Sequence, residues 1–452
     1  MEKSAAAKLK LMSAISIVIG CVIGSGVFVK PGRVLLAAGD SNSAIMAWVL
    51  GGLISLAGGL TIAEISSRIP RSGGVYAYVE ELYGKEIGFM CGWVQTLIYG
   101  PGLMSALSLY FASLYSQFFQ IDAVYTKPIA LITLFLLSSV TTFGTRYSSW
   151  IQNATTLLKL LPIFAIGVFG LFYGNETIFG IAMSDTTQTV GMGAAVLSTL
   201  WAYDGWMQVS NIAGEIENPA KNLPKAIIVG LSTVIFVYLM VNLSLFHTVE
   251  ANQIGALNEK AAAVAATNLF GTMGGQLLSL GILISIFGCL NGNILTMTRI
   301  PYAVAKNDVF PFRSKFTTLH PKFGTPVHSI VLKVFCATVM ILLLNPDRIT
   351  DLAIFSMYIF YGMCFIGIFK IRKTYGVPLT GAYKIPLYPV VPLLAVGGCL
   401  FICFGMINQN PVDALVSIAI ALIGYPVYLY LSRNTILLAT DVEVAPAVVK
   451  KD

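Results

Sequence analysis

Two short interruptions and one lysine are the places where this sequence could do chemistry. The apolar run Leu11–Ala38 carries Gly24-Ser25-Gly26 at its centre, and a later run carries Ala202-Tyr203-Asp204-Gly205. Glycine weakens helix and exposes backbone, and unwound backbone at membrane depth survives only against protein or a water-filled cavity. A helix broken at Gly24–Gly26 has two ends. The half that starts near Val27 presents free N–H groups and a positive dipole end, and the half that stops near Val22 presents free carbonyls. One gap thus offers an anion site beside a cation site, which suits a zwitterionic α-amino acid. Carbonyls at Trp201 and Asp204 in the second break can take more of the ammonium. The bland alternative for Gly24–Gly26 is small-residue helix packing, and the second break in register argues against it.

Lys159 lies about ten residues into its span, or ~15 Å from the span's end at 1.5 Å per residue, near the middle of a ~30 Å core. An ammonium there is costly and marks a functional site, and freed carbonyls near Gly20 and Cys21 are the expected partners. Lys333, about four residues into its own span, is expected to snorkel to the interface. Asp204 is suited to cap the second half of its broken helix, and contact with a basic substrate side chain stays open. Trp201 borders the break, Ala202 and Tyr203 lie within it, and Tyr99, Ser285, Tyr238 and Tyr358 are further pocket or gate candidates. Glu64, Glu215 and Glu217 sit at span ends, where gating or structural ion pairs are expected.

The elements that must hold these residues are membrane helices. The 452 residues are 56% hydrophobic and only 11% charged, against roughly 25% charged in soluble domains. Twelve spans are predicted, near Leu11–Ala38, Ala44–Ile69, Glu86–Phe119, Pro128–Phe143, Trp150–Tyr173, Gly191–Gly214, Leu223–His247, Gly274–Ala305, Pro326–Leu344, Ile349–Ile371, Tyr388–Ile407 and Val412–Leu431. MEKSAAAKLK runs into the first without a small-residue cleavage site, so no cleaved leader is expected.

Charge predicts the orientation. Of the 28 lysines and arginines, Lys30, Arg33, Lys127, Lys260 and Arg348 fall on one side, Lys159 and Lys333 fall within spans, and the remaining 21 fall on the other side. Both termini are therefore expected in the cytoplasm. The net charge of +7 then faces anionic lipid, and no nucleic-acid partner is implied. All seven cysteines, Cys21, Cys91, Cys289, Cys336, Cys364, Cys399 and Cys403, lie within spans without metal-ligand spacing, and the three histidines are scattered. No metal or cofactor is expected.

The breaks repeat at the spacing of their neighbours. Ala44 to Leu223 is 179 residues, as is Gly26 to Gly205, whereas Trp150 to Ile349 is 199. A unit of five spans is odd, so the second copy is inverted, and inverted repeats with broken first helices place substrate between them near the midplane. The expected organisation is a cytoplasmic N-terminus over 1–10, a first repeat over 11–173, an inverted repeat over 174–371, two further helices over 388–431, and a cytoplasmic tail over 432–452.

Three motifs in order resemble one family. IGSGVFVKPG at Ile23–Gly32, AEISSRIPRSGGVYAYVEELYG at Ala63–Gly84 and WAYDGWMQVSNIAGEIENPAKNLPKAI at Trp201–Ile227 are similar to the L-amino acid transporter branch of the amino acid–polyamine–organocation superfamily, and most of all to bacterial serine/threonine exchangers. The resemblance runs from Leu11 to about Leu431. It implies the all-α leucine-transporter fold and obligatory, sodium-independent exchange of small neutral amino acids by alternating access. It also implies that the substrate carboxylate meets amides around Ser25 and Gly26, that the ammonium meets the carbonyls of Val22, Trp201 and Asp204, and that Trp201 covers the substrate. Lys159 matches the lysine that stands where sodium-coupled relatives bind an ion. Animal relatives join a heavy chain through an extracellular cysteine, which the loop Gln120–Lys127 lacks, so a single-chain prokaryotic plasma-membrane protein is expected.

Asp204 also occurs in relatives that handle cationic substrates, so a cationic exchanger or a proton-coupled symporter is the alternative. A channel needs a continuous polar lining or charged rings, and an intramembrane enzyme needs a nucleophile–base pair or metal ligands. The sequence offers neither.

Overall fold

The computed structural model describes residues 8–443 apart from 25, 180–190, 258–260, 308, 377, 379–382 and 410. Ser25, Lys260 and the last nine residues of the tail therefore lie outside the described residues. The chain is an all-α polytopic membrane protein. Among the described residues, nine helices are long and apolar enough to cross a membrane, and Leu11–Val22 and Val327–Leu343 are shorter apolar helices.

The first apolar run folds as α1 (Leu11–Val22) and α2 (Gly26–Ala38), and the helix is interrupted at Ile23 and Gly24. Asp40 caps α3 (Ser41–Arg68) by accepting from the Ser43 N–H at 2.9 Å, as short acidic residues do at helix starts. The short α4 (Val75–Tyr83) leads to α5 (Lys85–Val94), a π-turn (Gln95–Tyr99) and α6 (Gly100–Phe118). The predicted continuous third span thus carries an extra residue in one turn. Next come α7 (Thr126–Thr142), α8 (Thr145–Tyr173) and α9 (Met192–Ala202). Beyond α9 the chain turns at Tyr203–Gly205 and continues as a 3-10 segment, Trp206–Glu215.

Pro219 opens α10 (Pro219–Thr248), where its missing N–H costs nothing. A short α11 (Ala251–Leu257) precedes α12 (Ala261–Met297) and α13 (Arg299–Asn307). A separate helical stretch from Ala261 precedes the eighth apolar run, and Gly271 at φ +71° marks the corner between the two. The rest is α14 (Arg313–Phe316), α15 (Val327–Leu343), α16 (Pro346–Tyr375), α17 (Val390–Gln409) and α18 (Pro411–Glu443).

The broken helices occupy the middle. α1 packs on α8, α10 and α12, and α2 packs on α9 and α3. α17 and α18 lie outside this set against α3, α5 and α16. Leu415, Leu422 and Tyr430 of α18 are exposed, as suits a helix facing lipid.

Glu64 ties the end of α3 to the end of α16. Its carboxylate is fully buried and accepts from Arg68 at 2.8 Å, from Arg372 at 2.6 and 3.0 Å, and from the Ile385 N–H at 2.9 Å. Arg372 also lies 3.8 Å over the Tyr388 ring. Removing one partner of a buried ion pair costs about 3–5 kcal/mol, because the other charge is left uncompensated. Glu64→Ala is therefore expected to lower the melting temperature of the detergent-solubilised protein clearly, with Glu64→Gln intermediate. An unchanged melting curve for the alanine variant would contradict a structural role for this pair.

The end of the molecule where α1 begins is strapped. The Leu9 N–H donates to the Glu215 carbonyl at 2.7 Å, and the Glu217 N–H donates to the Leu9 carbonyl at 2.9 Å. Arg299 binds the Glu215 carboxylate at 2.9 Å and Thr145 Oγ1 at 2.7 Å.

Candidate substrate site

The two breaks are packed against each other. A Cβ on Gly26 would stand 3.0 Å from the Ala202 backbone and 3.4 Å from the Trp201 ring. Gly205, at φ +108°, faces the Cys21 carbonyl, which an added Cβ would meet at 3.0 Å. Each break therefore has glycine where it meets the other, and side chains there would force the two apart.

Buried side chains hold the freed carbonyls. The Lys159 ammonium, fully buried, donates to the Gly20 carbonyl at 3.0 Å and to that of Ile23. The Cys21 carbonyl, expected as a lysine partner, instead accepts from Cys289 Sγ at 3.0 Å, because α12 crosses closer to it. Ser285 donates to the Ile23 and Gly24 carbonyls at 3.1 and 3.2 Å. Tyr238 bridges the breaks, its hydroxyl 3.0 Å from both the Val22 and Ala202 carbonyl oxygens. Its ring packs with those of Tyr203 and Trp48, and the Tyr203 hydroxyl donates to the Trp48 carbonyl at 3.3 Å.

A cavity of about 50 Å³ lies between the breaks, with Val22, Gly24, Gly26, Trp201, Ala202 and Asp204 on its wall. One water needs about 10–15 Å³, so the cavity is small and holds only a few. α2 begins at Gly26, so its first N–H groups, which lack intrahelical acceptors, stand at the cavity with the positive end of the helix dipole. On the cation side, the Val22 carbonyl already accepts from the Gly24 N–H at 2.9 Å and from the Tyr238 hydroxyl, whereas the Trp201 carbonyl, which accepts from the Asp204 N–H at 3.2 Å, has a second lone pair. Asn293 Nδ2 donates to the Cys289 carbonyl at 2.9 Å, while its buried Oδ1 on the wall has no partner among the described residues. Trp201 forms one side of the cavity, and the Lys30 ammonium lies 4.3 Å over its ring.

A sequence profile described as amino acid permease matches residues 9–435. This chain belongs to the amino acid permease family. It is a multi-pass plasma-membrane transporter and not an enzyme. The permease is 45% identical to the serine/threonine exchanger SteT of Bacillus subtilis over 421 residues, which cover 93% of this chain and 96% of that protein. It is 30% identical to the rabbit (Oryctolagus cuniculus) large neutral amino acids transporter small subunit 2 over 93% of this chain and 79% of that one. It is 28% identical to the human cystine/glutamate transporter, over 93% and 84% respectively.

The permease brings most of the predicted residues together in two shells. Val22, Gly24, Gly26, Trp201, Ala202 and Asp204 line the cavity, and Lys159, Tyr238 and Ser285 stand behind the broken backbone. Tyr203 stands with Trp48 and Tyr238 behind the second break. Tyr358 lies apart, on a separate small void behind Tyr361, its carbonyl accepting from Cys399 Sγ at 3.0 Å. Asp204 does not cap the following turn, whose N-cap is Gly205 without a side-chain bond. Its carboxylate reaches across to the Tyr99 hydroxyl at 3.0 Å, which also meets the Tyr361 hydroxyl at 3.0 Å. Lys333 does not snorkel. It is fully buried and donates to the Gln95 carbonyl, because the face of α15 that carries it is turned inward onto the π-turn. Gln208, Cys289, Asn293 and Thr350 also line the cavity and were not singled out. Cys289 and Asn293 are spaced i, i+4 in an apolar helix, a polar stripe that sequence reasoning can find.

Proposed function

We propose that this permease is a sodium-independent exchanger of small neutral L-amino acids such as serine, threonine or alanine, working by alternating access. The observation that carries the reading is the pair of mutually packed helix breaks around a cavity of about 50 Å³. It offers helix-start N–H groups to a carboxylate and carbonyl and amide oxygens to an ammonium, with little room for a side chain. The 45% identity to a serine/threonine exchanger along nearly the whole chain supports the same substrate class. Sodium independence rests on Lys159, whose fixed charge supplies what a bound cation would supply beside the first break.

The arrangement we infer has twelve spans in two inverted five-helix repeats plus two peripheral helices, with both termini in the cytoplasm. The charge asymmetry of the loops supports that orientation, and it puts the strap at Leu9 and the Arg299–Glu215 pair on the cytoplasmic side. The protein is taken to be prokaryotic and to work without a disulfide-linked heavy chain.

The decisive experiment is labelled serine uptake into proteoliposomes. Uptake should require internal serine, threonine or alanine and be unchanged when choline replaces sodium. Amines or acids lacking either α-group should not compete. Uptake without internal substrate, or its collapse in choline, overturns the exchange reading. Asp204 on the cavity wall favours a second reading, a cationic exchanger or proton-coupled symporter. Strong arginine exchange, or uptake driven by an imposed pH gradient, would select it.

A further inference from the structure

Lys333 has no place in the reading above, and its surroundings link it to the substrate cavity. It lies in α15 with no exposed surface, and its ammonium donates to the carbonyl of Gln95. That carbonyl opens the π-turn and also accepts the Gly100 N–H, the wide bond that defines the turn. Gly100 lets the ammonium approach, since a Cβ there would press on Lys333 Nζ and stand 3.0 Å from the Gln95 oxygen. The last residue of the turn is Tyr99, which is buried and bonds both Asp204 and Tyr361. One extra residue rotates the helix face by about 100°, so the direction of Tyr99 depends on that turn. π-turns are rare inside α-helices and are found frequently at functional sites. An intramembrane ammonium is costly in itself, and here it gives its charge-assisted bond to the turn's first carbonyl.

We propose that Lys333 is a positioning residue for substrate selection: it holds the π-turn so that Tyr99 keeps the Asp204 carboxylate engaged and withdrawn from basic substrate side chains. The inference rests on the exchanger reading. With the ammonium gone the turn relaxes, Tyr99 leaves Asp204, and the carboxylate on the cavity wall becomes free to bind a cationic side chain. Selectivity then shifts toward arginine or lysine.

The test compares arginine with serine in wild-type protein, Lys333→Met, Tyr99→Phe and the double variant. The ratio is read twice, as exchange in proteoliposomes and as ligand-induced thermal stabilisation in detergent, which needs no transport. Lys333→Met and Tyr99→Phe should each raise the arginine-to-serine ratio about fivefold or more, and the double variant should add little, as expected of residues acting in one chain. Gly100→Ala crowds the ammonium without removing it, should shift the ratio the same way, and decides the matter if Lys333→Met does not accumulate in the membrane. A ratio that stays at the wild-type value while only total uptake falls would mean that Lys333 merely stabilises the fold. Wild-type protein that fails to exchange serine would refute the exchanger reading instead, and the two failures are thereby distinct.

Discussion

Replacing Gly26 by valine is expected to reduce serine exchange in proteoliposomes to the level of empty vesicles while folded protein still reaches the membrane. Gly26 is the first residue of α2 and stands against the second break, where even a single Cβ would lie 3.0 Å from the Ala202 Cα and Cβ and 3.4 Å from the Trp201 ring. Valine adds two methyl groups beyond that Cβ. They would occupy a cavity of only about 50 Å³ and cover the N–H groups at the start of α2. Gly26→Ala should be milder, since the neighbours need to give by only a few tenths of an ångström. Near-normal exchange by the valine variant would show that the first break does not receive substrate.

Lys159→Ala is the second large effect. The ammonium holds the Gly20 and Ile23 carbonyls, and of these only Ile23 has Ser285 as a second donor. A buried carbonyl left without a partner costs about 1–3 kcal/mol, and about 1.4 kcal/mol is tenfold in an equilibrium. Exchange should fall by about 10- to 100-fold. The bond joins α8 to the end of α1, so it exists only while that half-helix leans on α8, and its loss should change the apparent affinity on the two membrane faces unequally. Lys159→Ala protein that exchanges normally from both sides would refute the role.

The glycine-flanked breaks were legible in the sequence because their cause is local. Gly24 and Gly26 interrupt one apolar run and Gly205 another, and the chain unwinds at both. Lys159 was legible as well, since a charge ten residues into an apolar run must find a partner wherever the helix packs. Its partners were only half legible: Gly20 and Ile23 rather than Gly20 and Cys21. The end of a broken helix turns its carbonyls in different directions, and the crossing of α12 decides which of them meets Cys289 and which meets lysine.

Sequence by itself thus determined that this chain lies in a membrane, where its helices break, and that Lys159 needs a buried partner. These follow from composition, from glycine's missing Cβ and from the cost of an ammonium in hydrocarbon. The tertiary structure decided which partner each charge takes. Asp204 turned from the expected cap to Tyr99, and Lys333 turned inward to Gln95 rather than out to the interface. Both contacts meet at the π-turn between α5 and α6, Lys333 at its first carbonyl and Asp204 at the hydroxyl of its last residue. Position along a span measures depth in the bilayer, whereas direction around the helix axis is set by the neighbouring helices, and only their packing settles what a buried side chain touches.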